Sequence, residues 1–345
     1  METYIKRIPI ELAMAIVIAL VALGITMFFY HGGAPSGNSV VWIFRYFSFG
    51  NPYFLWFILF IFALFLKDFY VAAGRLFISS ILYHKPIRRS DIKRILYCLW
   101  YPLYLLAPLT IASGPISSLL ANISYQSRSN TLDGFLLGLD VKLFGTSPFI
   151  VLPTILAGQT VTTLLKGAYF SLSIGASAML ALLYLKNTAV FRLAVTSFLM
   201  SIIIAYPLFY LVPCQTPAHV FINHTDGNQR NTLTPYTASQ SIKDIMLSIE
   251  KQETFVMNNE QIVPVSCFPS MHTVATLMSV YFLAIVMPWS LFITVPWGFL
   301  ALTGGLYFAQ HYFVDYIIAV PVTLVSVVLA DQLLRWERRW KTSYP

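Results

Sequence analysis

The sequence predicts an all-α integral membrane protein with about eight transmembrane helices. Of its 345 residues, 57% are hydrophobic and only 10% are charged, whereas a soluble domain carries about 25% charged residues. Apolar runs of about 20 residues, the length that crosses a bilayer as a helix, recur along the chain. These runs are long and continuously apolar, unlike the short alternating strands of a membrane barrel.

We predict the spans near residues 9–30, 53–77, 95–113, 163–185, 190–213, 270–288, 291–310 and 314–334. The first span is too long for a signal-peptide core and lacks a small-residue cleavage site, so we expect it to be retained. No soluble cofactor is implied by this organisation.

Basic residues lie in the short connections between the apolar runs. They precede the first span at Lys6 and Arg7 and fill the connections 75–94, 186–192 and 335–341. With eight spans these four regions share one side of the membrane, which predicts that both termini are cytoplasmic. The net charge of +8 therefore indicates membrane topology, and we expect no nucleic-acid partner.

Three longer stretches, 31–52, 114–162 and 214–269, are predicted on the outer side. In the second, Asp133–Gly145 has apolar residues at helical spacing but is too short to span, so we expect it to lie in the interface or re-enter. The third is long and polar and predicts a lid, helical around Ser239–Glu253. Cys214 and Cys267 stand at its two ends, either bridged in an oxidising compartment or unpaired.

Two short segments concentrate the chemically active side chains. The first is Cys267-Phe268-Pro269-Ser270-Met271-His272, where Ser270 is suited to cap a helix that starts there. The free backbone N–H groups and the dipole of that first turn predict an anion site, with His272 facing the anion.

The second segment is His311-Tyr312-Phe313-Val314-Asp315. If it is helical, His311 and Asp315 share a face, and the carboxylate can accept a hydrogen bond from one ring nitrogen. The other nitrogen is then free as a nucleophile or metal ligand. A purely structural pair is the alternative, but ionisable groups within spans are costly and usually functional.

Two imidazoles and one carboxylate could also hold zinc. The sequence shows no second carboxylate nearby and no HExxH pair, and the start of a helix attracts anions rather than cations. We therefore predict no metal site.

Two motifs of this chain resemble those of the type 2 phosphatidic acid phosphatase superfamily. They are Pro-Ser-x-His at the start of one helix and His-Tyr-x-x-Asp at a later helix. The resemblance is closest to its branch of inositol phosphorylceramide synthases and sphingomyelin synthases, which Asp140-x-x-Leu143-Phe144-Gly145 and Tyr210-Leu211-Val212-Pro213 also resemble. It covers about residues 95–334. Two parts of the chain lie outside the region of resemblance: residues 1–94, with the first two spans and their basic connection, and a basic tail, residues 335–345.

The resemblance implies a six-helix catalytic core, a phosphohistidine intermediate and no metal requirement. According to this resemblance, His311 attacks phosphorus and Asp315 orients His311. His272 protonates the leaving alkoxide and later deprotonates the acceptor.

This sequence departs from the phosphatases of that superfamily in its cations. Those phosphatases carry an Arg six residues before the second His, a position that is Gly305 in this chain. They also carry a Lys and Arg-Pro motif on an earlier outer loop, whereas residues 213–218 of this chain include no basic residue. A phosphodiester carries less charge than a monoester and needs fewer cations, so we expect headgroup transfer. We predict substrate contacts from Ser270, Met271, Gln215 and Tyr312, with Arg45, Arg128 and Lys166 as candidate replacement cations.

The expected function is transfer of a phosphoryl-linked headgroup from a membrane phospholipid to a lipid or polyol acceptor, at the extracytoplasmic or lumenal face. One alternative is a lipid phosphate phosphatase, with water as the acceptor. Another, of a different class, is a transporter or scramblase whose histidines relay protons.

Overall fold

The structure is a computed structural model that describes residues 9–29, parts of 63–84, 119–127, 129–220, 242–246, 255–257, 260–262 and 265–343. The described chain is predominantly helical, with one antiparallel hairpin of two short strands. The elements are α1 Ile10–Phe29, α2 Asp133–Phe144, α3 Pro148–Ile155, α4 Gln159–Phe170, α5 Leu172–Lys186, α6 Thr188–Leu211, β1 Phe255–Met257, β2 Glu260–Ile262, α7 Met271–Val286, α8 Leu291–Tyr307 and α9 Phe313–Ser343.

Four described helices are long and apolar enough to cross a membrane: α1, α6, α9, and α8 extended by its preceding turn. Two bent pairs, α2 with α3 at 60° and α4 with α5 at 46°, bring the count to six if each pair is one span. The predicted span 163–185 is thus two helices joined at a bend. The predicted spans 95–113 and most of 53–77 lie outside the described residues. The helices fit a multi-pass membrane protein, and the number eight stays a prediction.

Helices α6 and α9 pack against each other and run in opposite directions. Arg192, near the start of α6, donates hydrogen bonds to Glu11 of α1 and, at 2.7 Å, to Glu337 near the end of α9. Glu337 lies 24 residues after Phe313, or about 36 Å along a helix that rises 1.5 Å per residue. The ion cluster and the start of α9 therefore lie at opposite ends of the bundle, about one membrane thickness apart.

The buried apolar side chains form two main clusters along the bundle. One joins α1, α5, α6, α7 and α9. The other surrounds the start of α9 and includes Leu136, Phe149, Leu165, Tyr307 and Phe308. Large apolar side chains also face outward, among them Phe292, which is 84% exposed. An outward apolar surface is what a helix needs in contact with lipid tails.

Gly304 and Gly305 allow α8 to approach its neighbours closely. A Cβ at Gly304 would lie 2.8 Å from the backbone oxygen of Leu165 in α4. At Gly305 it would lie 2.4 Å from the hydroxyl of Tyr316 in α9. A side chain at Gly304 would push α8 away from the α4 backbone, and one at Gly305 would displace the Tyr316 side chain, so the pair of glycines allows α4, α8 and α9 to pack closely beside the start of α9.

Candidate active site

Ser270 is the N-cap of α7. Its Oγ accepts a hydrogen bond from the backbone N–H of Thr273 at 3.2 Å, which satisfies one of the donors that a helix start leaves free. The cap fixes where the helix begins, and so places His272 in its first turn. The sequence predicted this arrangement from the Pro-Ser pair alone.

His311 and Asp315 do not lie on one helical face as the sequence predicted, because α9 begins only at Phe313. The chain leaves α8 by a turn at Phe308 and Ala309, after which the N–H of Gln310 donates to the oxygen of Gly305 at 2.8 Å, and residues 310–312 continue to α9 without regular secondary structure. Asp315 Oδ2 reaches back to accept the N–H of Tyr312 at 2.8 Å. It lies 3.4 Å from His311 Nδ1. The four-residue spacing brings the pair together through a capping turn rather than through a helix.

The two histidines meet at the ends of their helices. His272 Nδ1 lies 3.0 Å from His311 Nε2, and Ser270 Oγ lies 3.2 Å from the same nitrogen. Because Ser270 Oγ already accepts from Thr273, its own proton is free to point at His311. A proton on His311 Nδ1, facing Asp315, leaves the lone pair on Nε2. The nucleophilic nitrogen is therefore the one that faces His272.

His311 is only 4% exposed. Burial, and then the charge of His272, hold the pKa of the His311 imidazole well below its usual value. The ring is therefore neutral at neutral pH. A neutral imidazole keeps the lone pair that a nucleophile needs.

A second carboxylate, Asp140 of α2, accepts hydrogen bonds from the first turn of α9. Its two oxygens accept the N–H of Phe313 at 3.0 Å, the N–H of Val314 at 3.1 Å and the hydroxyl of Ser147 at 2.5 Å. Helix α2 ends at Gly145, whose φ of 78° lies in the left-handed region and turns the chain so that Ser147 can reach back. The stretch that resembled the synthase branch only weakly thus contributes a cap to the helix that follows His311.

A third carboxylate, Asp133, holds the same turn through Tyr312. Asp133 Oδ1 accepts the Tyr312 hydroxyl and the backbone N–H of Gln215, each at 3.0 Å. The Tyr312 ring is fully buried, with its edge against Phe149. The structure gives Tyr312 and Gln215 partners within the protein, and a substrate contact for either residue stays a prediction.

The remaining predicted residues are less closely tied to the histidines. Met271 packs against the cluster between α5, α6, α7 and α9. Lys166 is exposed, with its ammonium 6.0 Å from the Phe170 ring, and Arg45 and Arg128 lie outside the described residues.

Cys214 and Cys267 are neighbours at the base of the predicted lid. Both thiols are free and buried, and the N–H of Cys267 donates to the oxygen of Cys214 at 3.5 Å. A disulfide between them stays a prediction. Burial raises the pKa of the Cys214 thiol to about 11, so the thiol is protonated at neutral pH.

One residue near the histidines was missed by the sequence analysis. The ring of Tyr169, from α4, lies 5.4 Å from the ring of His272 and is 5% exposed. Nothing distinguishes an aromatic residue on an apolar helix from ordinary core packing, so no pattern could have selected it. Cys267, which the sequence analysis considered only as a disulfide partner of Cys214, offers with His311 and Asp315 three potential metal-ligating atoms within 4.8 Å of one another.

The fold and the site together define a helical, multi-pass membrane protein with two facing imidazoles and a supporting carboxylate at one end of its bundle. A family model described as the PAP2 superfamily matches residues 135–329, more than half of the chain, and includes His272, His311 and Asp315. The chain belongs to this superfamily. The comparisons with curated proteins and with solved structures found no significant match. Membership indicates an activity on lipid phosphoesters, of the phosphatase or phosphotransferase type.

Proposed function

We propose that this protein is a membrane lipid phosphotransferase that moves a phosphoryl-linked headgroup from a phospholipid to a lipid or polyol acceptor. The observation that carries the proposal is the position of His311 Nε2, 3.2 Å from Ser270 Oγ and 3.0 Å from His272 Nδ1, with Asp315 Oδ2 3.4 Å from the other ring nitrogen. Such a nucleophile–base–orienter arrangement is the general pattern of covalent catalysis.

In the first half-reaction His311 Nε2 attacks phosphorus. An N–P bond forms, the P–O bond to the lipid alkoxide breaks, and His272 gives its proton to the departing oxygen. In the second, His272 takes the proton of the acceptor hydroxyl, whose oxygen attacks phosphorus as the N–P bond breaks. Asp315 stabilises the positive charge that develops on His311 in each step. The phosphate lies near the first turn of α7, where backbone N–H groups favour an anion.

Transfer of a diester headgroup is favoured over hydrolysis of a monoester by the surroundings of Gly305. The phosphatases carry an arginine at this position, but here the Tyr316 hydroxyl occupies the space into which a side chain would extend, and it donates to the oxygen of Leu302 at 2.9 Å. A side chain at position 305 would have to displace the Tyr316 side chain. A singly charged diester needs less cationic support than a dianionic monoester.

The finer features of the proposal follow the resemblance. The headgroup is inositol phosphate-like or another phosphoryl-linked headgroup, and a sphingolipid is one acceptor class, as the resemblance to the synthase branch implies. The site faces the extracytoplasmic or lumenal side with both termini cytoplasmic. The basic residues of 335–341 support this orientation, since they lie within the last turns of α9, at the end of the helix away from His311.

Covalent labelling tests the proposal. Purified protein is incubated with a phospholipid extract carrying radioactive phosphorus, beside His311→Ala, His272→Ala and the control His84→Gln, which changes an exposed histidine. We expect acid-labile, base-stable label on the wild-type and control proteins, none on His311→Ala, and slowed turnover in His272→Ala.

The radioactive products separate the three candidate functions. A new labelled lipid or polyol phosphate supports transfer, whereas free inorganic phosphate alone supports the phosphatase. Lipid movement across vesicles without any label or product, and unaffected by His311→Ala, would contradict a covalent mechanism and favour the transporter or scramblase.

A further inference from the structure

The sequence analysis predicted no metal site because it considered only the histidines and Asp315; with Cys267 added, we propose that Cys267, His311 and Asp315 form a binding site for a thiophilic divalent cation such as Zn²⁺, and that occupation of this site switches the enzyme off. The three residues come from the segments before α7 and at the start of α9. Each offers one ligand atom, and the three atoms lie within 4.8 Å of one another. A thiolate, an imidazole and a carboxylate are the ligand types that zinc takes in proteins.

The three ligand atoms need to move only a little closer together to bind an ion. Zinc bonds of about 2.0–2.3 Å place the ligand atoms of a tetrahedral site about 3.3–3.8 Å apart. His311 Nδ1 and Asp315 Oδ2 are already 3.4 Å apart. A side-chain adjustment of about 1 Å at Cys267 therefore completes three protein ligands and leaves the fourth position open, as in many accessible zinc sites.

An unpaired polar atom points to a ligand at this place. Asp315 Oδ1 has no hydrogen-bond partner among the described residues, although the side chain is fully buried. A buried polar atom without a partner is costly. Cys267 Sγ donates a weak hydrogen bond to the oxygen of Gln310 at 3.4 Å and lies beside the thiol of Cys214. A cation held by the Asp315 carboxylate would satisfy its orphan oxygen.

The charges also balance. A thiolate and a carboxylate together neutralise the two positive charges of the ion, and the imidazole binds as a neutral ligand. The complex is therefore neutral overall, which removes the main cost of placing a cation at a buried helix start. Binding forms the metal–sulfur bond while the sulfur proton of Cys267 leaves to solvent.

The consequence for catalysis rests on the proposed function. A metal on His311 and Asp315 breaks the pair that orients the nucleophile, and transfer stops. Cys267 takes no part in the proton or phosphoryl steps, so its replacement removes the metal sensitivity and leaves turnover in place. The binding of the metal does not depend on the reaction and is measurable without any lipid.

The test titrates the purified full-length protein, freed of metal by a chelator, with Co²⁺. A thiolate bound to cobalt gives an intense charge-transfer absorption in the near ultraviolet. We expect this absorption in the wild-type protein at one ion per chain, its loss on addition of Zn²⁺, and its absence in Cys267→Ser. Asp315→Asn keeps the thiol and weakens the affinity by at least about tenfold, and Cys214→Ser is the matched control that keeps the absorption.

Turnover is then measured with increasing free Zn²⁺. We expect full inhibition of the wild-type protein and inhibition weakened at least about tenfold in Cys267→Ser. No absorption in folded wild-type protein, or absorption that persists in Cys267→Ser, would overturn the site. Absorption without any lipid turnover would support the metal site and refute the proposed function, whereas turnover without absorption would do the reverse.

Discussion

Asp140 Oδ1 accepts a hydrogen bond from the backbone N–H of Val314 at 3.1 Å, across 174 residues of sequence. With the bond from Phe313 to Oδ2, it caps α9 with a residue from a distant helix. Helix starts leave their first N–H groups unsatisfied, and a carboxylate there is also favoured by the helix dipole. The cap fixes the first turn of α9, and with it the positions of His311 and Asp315.

Asp140→Asn should lower kcat by about 10- to 100-fold and change KM by less than about twofold. The amide places an N–H₂ group where the carboxylate now accepts from a backbone donor, and hydrogen bonds to charged groups contribute about 1.5–3 kcal/mol, with about 1.4 kcal/mol per tenfold in rate. Steady-state kinetics of headgroup transfer measures both constants.

The control for this variant is Asp331→Asn within α9, the helix that Asp140 caps, where the Asp331 carboxylate forms an exposed pair with Arg335. It should leave both constants unchanged, because exposed pairs contribute little. A raised KM with unchanged kcat in Asp140→Asn would contradict the positioning role and indicate a substrate contact.

Gly305→Ala should destabilise the protein by about 1–3 kcal/mol, as overpacking does in a close-packed core. The added Cβ would lie 2.4 Å from the Tyr316 hydroxyl, so the cost should be smaller in a Tyr316→Phe background. Thermal unfolding in detergent of the two single variants and the double variant measures this coupling. Additive effects would show that the two residues do not compete for the same space.

The pH dependence of kcat/KM should show no acid limb near pH 6.5. Burial and the charge of His272 lower the pKa of His311, so its neutral, nucleophilic form persists as pH falls and is lost only well below the usual value of about 6.5. Measuring kcat/KM from about pH 4 to about pH 8 locates the limb. A half-maximal rate at about pH 6.5 in the wild-type protein would contradict a desolvated nucleophile.

Arg192→Gln should destabilise the fold by about 3–5 kcal/mol, because it removes the guanidinium that pairs with the buried carboxylates of Glu11 and Glu337. Adding Glu11→Gln removes one of the two charges and should restore part of the stability. Thermal unfolding in detergent measures both effects. Activity per folded molecule should not change, since the cluster lies about 36 Å along α9 from the catalytic turn, and a selective loss of kcat would contradict this separation.

The sequence predicted the helices where their signal is local and strong. The predicted spans 9–30, 190–213, 270–288 and 291–310 agree with α1, α6, α7 and α8 to within about three residues. The bend that divides the predicted span 163–185 between α4 and α5 was missed, because both halves are equally apolar. The helical geometry expected for His311 and Asp315 was wrong, because Asp315 caps the turn before its own helix.

By itself, the sequence determined the class of protein and the residue types of its reactive centre. Both depend on short stretches of sequence. The class follows from apolar runs long enough to span a membrane, and the reactive centre from two histidine segments at the ends of such runs. Only the tertiary structure decided that His272 Nδ1 faces His311 Nε2, and that Asp133 and Asp140 hold the turn between α8 and α9. These contacts join residues about 40 to 180 positions apart, and they depend on how the helices pack, which no local pattern of residues specifies.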